Sequence, residues 1–233
     1  MPSNWNKGLT KDTNPSVRKI SDTMKRKKLD NFKVWRERMK AEGKIKSVYM
    51  PFRKNGDLAE LIGVILGDGH IRPFPRTEEL SIFSNSNNPG FVSRYFKLVE
   101  KIFGKKPVST FHSGGNCIRI RLYEKQISAR LGVPFSPRGK LKIRVPAWIS
   151  SNKSYIVRYL RGLYEAEGSH SVHLPTFTHK FQFSNRNTSM LNNVFKLIKV
   201  IGFHPHRSKY QIQISKKKEV YEAIKVLGFR NYK

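Results

Sequence analysis

The chain has one cysteine, few acids and no long apolar run. The single cysteine, Cys117, allows neither an internal disulfide nor a cysteine-rich zinc site, and it points to a reducing, intracellular setting. No segment reads as a bilayer span, and the polar, basic N-terminus lacks the apolar stretch of a secretory signal, so no membrane partner is expected. His170 and His173 fall on opposite faces of a strand, and His204 and His206 lack further ligands, which argues against zinc. There is no glycine-rich phosphate loop and no histidine–asparagine–histidine nuclease box. Carboxylates are scarce: 16 Asp and Glu stand against 46 Lys and Arg, a net charge of +30 over 233 residues. So much like charge opposes compaction unless a polyanion offsets it, which makes nucleic acid the expected partner. The hydrophobic content, 38%, suffices for one large domain or two small ones.

Against that scarcity, one acid recurs. Leu58–Ile71 and Tyr159–Ser171 are apolar helical runs that end small-acid-Gly, as Gly67-Asp68-Gly69 and Ala166-Glu167-Gly168. The two acids lie 99 positions apart. The order that follows is also repeated. In the first copy, strands about His70–Arg76 and Glu79–Asn85 lead to a helix Gly90–Phe103. Strands Val108–His112 and Cys117–Leu122 and a short helix Lys125–Leu131 follow. In the second, strands near His170–Leu174 and His179–Asn185 lead to a helix Ser189–Ile201. Strands near His206–Ser208 and Gln211–Ser215 and a helix Glu219–Leu227 follow. Phe83-Ser84-Asn85 matches Phe183-Ser184-Asn185. The expected divisions are a basic arm (1–50), a first repeat (57–133), a linker (134–153) and a second repeat (154–233). The arm holds 14 basic residues against 5 acidic ones; Asn14-Pro15 opens one helix in it, and a second runs about Asn31–Ala41. Neither arm helix carries enough apolar side chains for a core.

The duplicated helix has a physical logic. The first copy is apolar on nearly every side and is therefore buried. Gly63 and Gly67 share one face, as do Gly162 and Ala166, and glycine inside a helix costs about 1 kcal/mol relative to alanine. Close backbone contact between the two helices would explain that cost. Their C-terminal ends then converge, each stopped by its glycine. Asp68, Glu167 and the carbonyls of Gly67 and Ala166 would form an oxygen-rich site suited to Mg²⁺, for which Mn²⁺ or Ca²⁺ could substitute in binding. Glu165 projects from another side and reads as a surface or supporting residue. Trp148 reads as core packing beneath the linker.

LIGVILGDG (61–69) and LRGLYEAEG (160–168) resemble the motif of the LAGLIDADG homing endonucleases, and the strand–helix order after each copy extends the resemblance over about 57–233. The resemblance implies an α+β fold: a pseudo-twofold pair of αββαββα repeats whose two antiparallel sheets form a DNA-binding saddle, here with an added basic arm. It implies a monomer that hydrolyses both strands of a long, non-palindromic DNA target with Mg²⁺. Asp68 and Glu167 would be the metal-binding acids. Asn85 and Asn185 would be the polar residues near the reacting water, and Lys140 the linker lysine that stabilises charge. A second-repeat lysine has only Arg230 or Lys233 as counterpart. The opening residues also resemble the short modular DNA-binding elements attached to some of these enzymes. The alternative is a non-catalytic binder on the same scaffold: an intron RNA maturase or a DNA-binding regulator. Met1 and the absence of a splicing cysteine favour an intron-encoded or free-standing frame over an intein.

Base readout is expected from alternate strand positions: Arg72, Arg76, Arg119, Arg121, Lys180, Gln182, Arg207, Lys209, Gln211 and Gln213. Arginine suits guanine and glutamine suits adenine in the major groove.

Overall fold

The computed structural model describes residues 6–30, 32–46, 48–111 and 115–232. The Asn31, His112 and Lys233 ends of the expectations above lie outside that set. The chain divides into two compact units, Met1–Tyr49 and Met50–Lys233.

In the first unit, α1 (Pro15–Arg26) starts at Asn14, whose Oδ1 accepts from the amides of Ser16 and Val17, with Pro15 in the first turn. The second helix, α2, is Lys33–Ala41. Neither buries a residue, and Phe32, Val34 and Trp35 are exposed.

The second unit has the duplicated order. The first copy is α3 (Gly56–Asp68), β1 (Gly69–Pro73), β2 (Glu78–Asn85), α4 (Pro89–Phe103), β3 (Val108–Phe111), β4 (Cys117–Glu124) and α5 (Ile127–Leu131). A short linker helix, α6 (Ala147–Ser150), precedes the second copy. That copy is α7 (Lys153–Glu167), β5 (Gly168–His173), β6 (Thr178–Ser184), α8 (Thr188–Val200), β7 (His206–Arg207), β8 (Gln211–Ile214) and α9 (Lys217–Leu227). The two sheets are antiparallel, ordered β1-β2-β4-β3 and β5-β6-β8-β7. The expected α+β pair of αββαββα repeats is therefore observed.

Alternation sorts the strand residues into two faces. Ile71, Leu80, Ile82, Ile120 and Leu122 of the first sheet, and Phe181, Phe183, Ile212 and Ile214 of the second, point into the core. The intervening residues point away from the helices. Strand β1 ends at Pro73 rather than near Arg76, because Pro73 and Pro75 remove ladder donors. Trp148 is half-buried against the core, edge-on to Tyr155, and Ile143 and Ile149 are buried linker residues.

Helices α3 and α7 pack backbone to backbone. A Cβ on Gly63 would run into the Tyr159 carbonyl and sit 3.0 Å from the Leu163 nitrogen. One on Gly162 would run into the Glu60 carbonyl and sit 2.7 Å from the Val64 nitrogen. The small residues are thus required by steric contact, not merely tolerated.

Beneath this contact lies a charged knot. Glu60, fully buried on α3, receives Arg94 Nε (2.6 Å) and Nη2 (2.9 Å) from α4, and pairs with Arg158 Nε (2.6 Å) and Arg161 Nε (3.7 Å) from α7. Glu165 is buried rather than at the surface, accepting from the Arg230 amide (2.6 Å) and the Tyr232 hydroxyl (2.5 Å). Tyr232 in turn covers Gly90 of α4, so the chain's last residues cross back onto the first repeat. Glu60→Gln removes a carboxylate shared by three guanidiniums. It should lower unfolding free energy by about 2 kcal/mol, discounted because the arginines are partly solvated; urea denaturation checks this.

Candidate functional site

The last turn of each motif helix passes directly into a strand. Gly69 and Gly168 are extended (φ −91° and −92°), not left-handed as a glycine stop would be. Their role is steric: a Cβ on Gly69 would strike the Ile65 backbone, and one on Gly168 the Tyr164 carbonyl and ring. The helix can therefore turn into the sheet without an intervening loop.

The two ends meet. A Cβ on Gly67 would overlap Ala166 Cβ and lie 3.2 Å from Glu167 Cγ. Asp68 and Glu167 thus share one place. Burial, then the charge of Glu167, pushes the Asp68 carboxyl up to about 7. Burial also raises Glu167, partly offset by donation from Asn185 Nδ2 to its Oε1 (3.3 Å). Among the described residues no cation pairs with either acid, and no three His, Cys, Asp or Glu side chains cluster as a complete metal set. Two hard, partly desolvated carboxylates in mutual repulsion, at helix ends of negative partial charge, suit a divalent cation that takes its remaining ligands from elsewhere. The fit is with an oxygen-seeking ion and not with zinc.

The other expected site residues are placed unequally. Asn185, just beyond β6, reaches Glu167, whereas Asn85, at the end of β2, is exposed and has its Oδ1 on the Asn87 amide. Lys140 is exposed and is not among the residues lining the recess beside Glu167. Arg138 does line that recess. Its Nη2 donates to the carbonyls of Ile65 (2.6 Å) and Gly69 (2.5 Å), and its Nη1 to Ser136 Oγ (2.8 Å). Arg138 thereby caps the end of α3, where a cation is electrostatically favoured. Asn187, buried at the start of α8, donates to the carbonyls of Arg138 (3.1 Å) and Leu141 (2.8 Å). The linker segment that carries Lys140 is therefore pinned on both sides. Sequence reasoning missed Arg138 and Asn187, because a basic linker shows no periodicity from which a contact could be read. Arg230 caps nothing comparable: its amide serves Glu165, and its guanidinium lies over Phe229.

On the outward face of the first sheet lie Arg72, Arg119 and Arg121. Arg76 sits in the β1–β2 turn. On the second sheet Lys180, Gln182, Gln211 and Gln213 face outward. Arg207 does not. It pairs with core-facing Ile212 and reaches Asn192 of α8, while its neighbour His206 takes the outward place opposite Gln213. Lys209 lies in the β7–β8 turn over the Tyr210 ring. One residue of phase in a two-residue strand decided this. A further residue escaped the sequence reading: Glu79, an acid near the start of β2 on the first sheet's outward face, 7% exposed.

No protein-family model and no curated sequence matches the chain. Solved structures do. Mesophilic variants of the homing endonuclease I-DmoI superpose with a TM-score of 0.50 at 16% identity, over 74% of this chain and 94% of that one. An I-DmoI variant in complex with its target DNA and manganese gives 0.50 at 14% identity, over 76% and 98%. The N-terminal LAGLIDADG domain of DUF199/WhiA gives 0.50 at 15%, over 77% and 84%.

Proposed function

We propose that this chain, whose fold is that of the LAGLIDADG homing endonucleases, is a Mg²⁺-dependent, site-specific DNA endonuclease that cuts both strands of a long, non-palindromic target. The observation that carries the reading is the convergence of Asp68 and Glu167 at the ends of two helices in van der Waals contact, with no cation among the described residues to neutralise them. Asp68 and Glu167 hold the divalent ion through their carboxylates, with the last-turn carbonyls of Gly67 and Ala166 available beside them. A bound ion would supply a more acidic water and charge stabilisation at the phosphate. Asn185 orients the Glu167 carboxylate. Lys140, exposed on its pinned segment, is the residue assigned to the charge that builds on the phosphate, while Arg138, its Nη protons committed to carbonyls and Ser136, anchors that segment. The outward faces supply base contacts, and the basic arm adds phosphate contacts in the manner of a modular DNA-binding element.

The two half-sites are inequivalent: Asp against Glu, an Asn185 that donates to its acid against an exposed Asn85 bonded only to its own turn among the described residues, and an α3 end capped by Arg138 with no such arginine at the α7 end among the described residues. That suits an asymmetric target. Incubation of a randomised duplex library with Mg²⁺, followed by sequencing of the ends, tests the reading. Staggered cuts at one long sequence are expected. Specific binding without cutting in Mg²⁺, Mn²⁺ and Ca²⁺ would replace the enzyme with a DNA-binding regulator or maturase.

A further inference from the structure

The two outward sheet faces differ in chemistry more than a duplicated fold requires. The first presents three guanidiniums, two of them beside one carboxylate. Glu79 Oε2 accepts from Tyr123 Oη (2.6 Å), and Oε1 accepts from Ser81 Oγ (2.7 Å) with Arg119 Nη1 at 3.8 Å. Arg72 lies directly across the strand pair from Glu79, with its guanidinium 4.5 Å from the centre of the Phe74 ring. Arg121 stands over Tyr123 at 5.5 Å. Burial pulls the Glu79 carboxyl up, but Tyr123, Ser81, Arg119 and Arg72 outweigh it and hold the group below the usual range. The acid is therefore ionised, and its oxygens are occupied by the protein.

The second face carries no arginine among its described outward strand positions. Gln182 and Gln213 sit opposite each other, with Gln182 Nε2 donating to Gln213 Oε1 (2.8 Å) and Gln213 Nε2 donating onward to Ser215. This chain of amides leaves the Gln182 carbonyl oxygen and one proton on each amide nitrogen for an outside partner. Gln211 lies on the same face.

We infer that the two sheets read bases of different kinds: the first selects guanine through Arg72 and Arg119, held by Glu79, and Arg121, held over the Tyr123 ring, and the second selects adenine through the Gln182–Gln213 pair. This rests on the endonuclease reading and specifies its substrate. A guanidinium matches guanine O6 and N7, and a carboxamide matches adenine N6 and N7. Discrimination depends on the reader being fixed before the base arrives, because a loose arginine can meet a phosphate at any sequence. Glu79 is a positioning residue in this scheme. On a face that meets a polyanion, a carboxylate opposes non-specific affinity, and what it offers in return is orientation of the arginines around it.

The test is selection from a randomised duplex library in Ca²⁺, read as base preference at each position for the native chain and for single variants. Arg119→Ala should erase guanine preference in one half of the site and Gln182→Ala adenine preference in the other, which assigns each half to its sheet. Glu79→Gln should lower guanine discrimination by about tenfold at the first-sheet positions alone, while affinity for unrelated duplex stays equal or rises. A purely structural role would shift the melting temperature and weaken all positions together. Tyr123→Phe, an exposed change that frees one Glu79 oxygen, should give the same position-restricted loss in smaller degree and serves if Glu79→Gln does not fold. Specific binding with no guanine–adenine partition between the halves overturns this inference and leaves the endonuclease reading intact. Failure to enrich any sequence overturns both.

Discussion

Asp68→Asn is expected to reduce cleavage by roughly 10²–10³-fold or more while leaving specific DNA binding in place. The amide keeps the size of the side chain at the helix junction and removes the negative charge that holds the cation. The same variant should be more stable than the native chain in metal-free buffer near pH 8. The sign follows from the raised carboxyl. Asp68 ordinarily ionises near 3.8 and in the folded chain near 7, because burial and then Glu167 disfavour its charge. Between about pH 4 and pH 7 the unfolded chain has released this proton and the folded chain has not. Native stability from this group therefore falls as pH rises through that window and levels off above it. Asparagine has no proton to lose, so the variant's advantage should be absent below pH 4 and reach on the order of 1–3 kcal/mol above pH 7. Thermal melts in EDTA across pH 4–8 measure it. Adding Mg²⁺ should narrow the gap, since the ion binds only the native acid pair with strength. An Asp68→Asn protein that still cuts with Mg²⁺ would falsify the site assignment.

Gly162→Ala should be the most disruptive glycine-to-alanine change among the described residues. Its Cβ would enter the Glu60 carbonyl and lie 2.7 Å from the Val64 nitrogen, both backbone atoms with no rotamer to yield. The only relief is separation of α3 and α7, which carry the core of the second unit and both acids. A loss of about 3 kcal/mol is expected, or about 8 °C in melting temperature for a chain of this size. Cleavage should fall beyond what the unfolded fraction explains, because Asp68 and Glu167 move apart. Gly104→Ala is the matched control. Gly104 has φ +60° but nothing within 4 Å of a Cβ, so only backbone strain of about 1 kcal/mol applies.

Much of this architecture was legible without coordinates, and the reason is periodicity. A buried helix must be apolar all round, and glycines four apart on it must mark one face, so the α3–α7 contact could be read from Gly63, Gly67, Gly162 and Ala166. Two helices in contact along that face bring their ends together, so the meeting of Asp68 and Glu167 followed as well. Glu60 was in plain view as an acid inside an apolar run, but its three arginine partners come from two other helices and leave no local pattern. The direction of Arg207 was not legible, because a two-residue strand has no internal phase and takes its register from β8. Nor was the exposure of Asn85 against the bonding of Asn185: Gly69 pairs with Ile82 but Gly168 with Phe183, so the matching Phe-Ser-Asn runs sit one residue out of phase in their sheets.

By itself the sequence determined the duplication, the α+β order, the small-residue helix seam, the acid at each end and the demand for a polyanionic partner. All of these are repeated or periodic properties that act through near neighbours along the chain. Only the tertiary structure decided that Arg138 and Asn187 bind the linker to both repeats, that Glu165 and Tyr232 return the C-terminal residues to α4, and that Glu79 meets Arg119 and Tyr123 on one sheet face while Gln182 meets Gln213 on the other. Each of those is a contact between segments far apart in the chain, where the specifying term is packing geometry and charge satisfaction at short range.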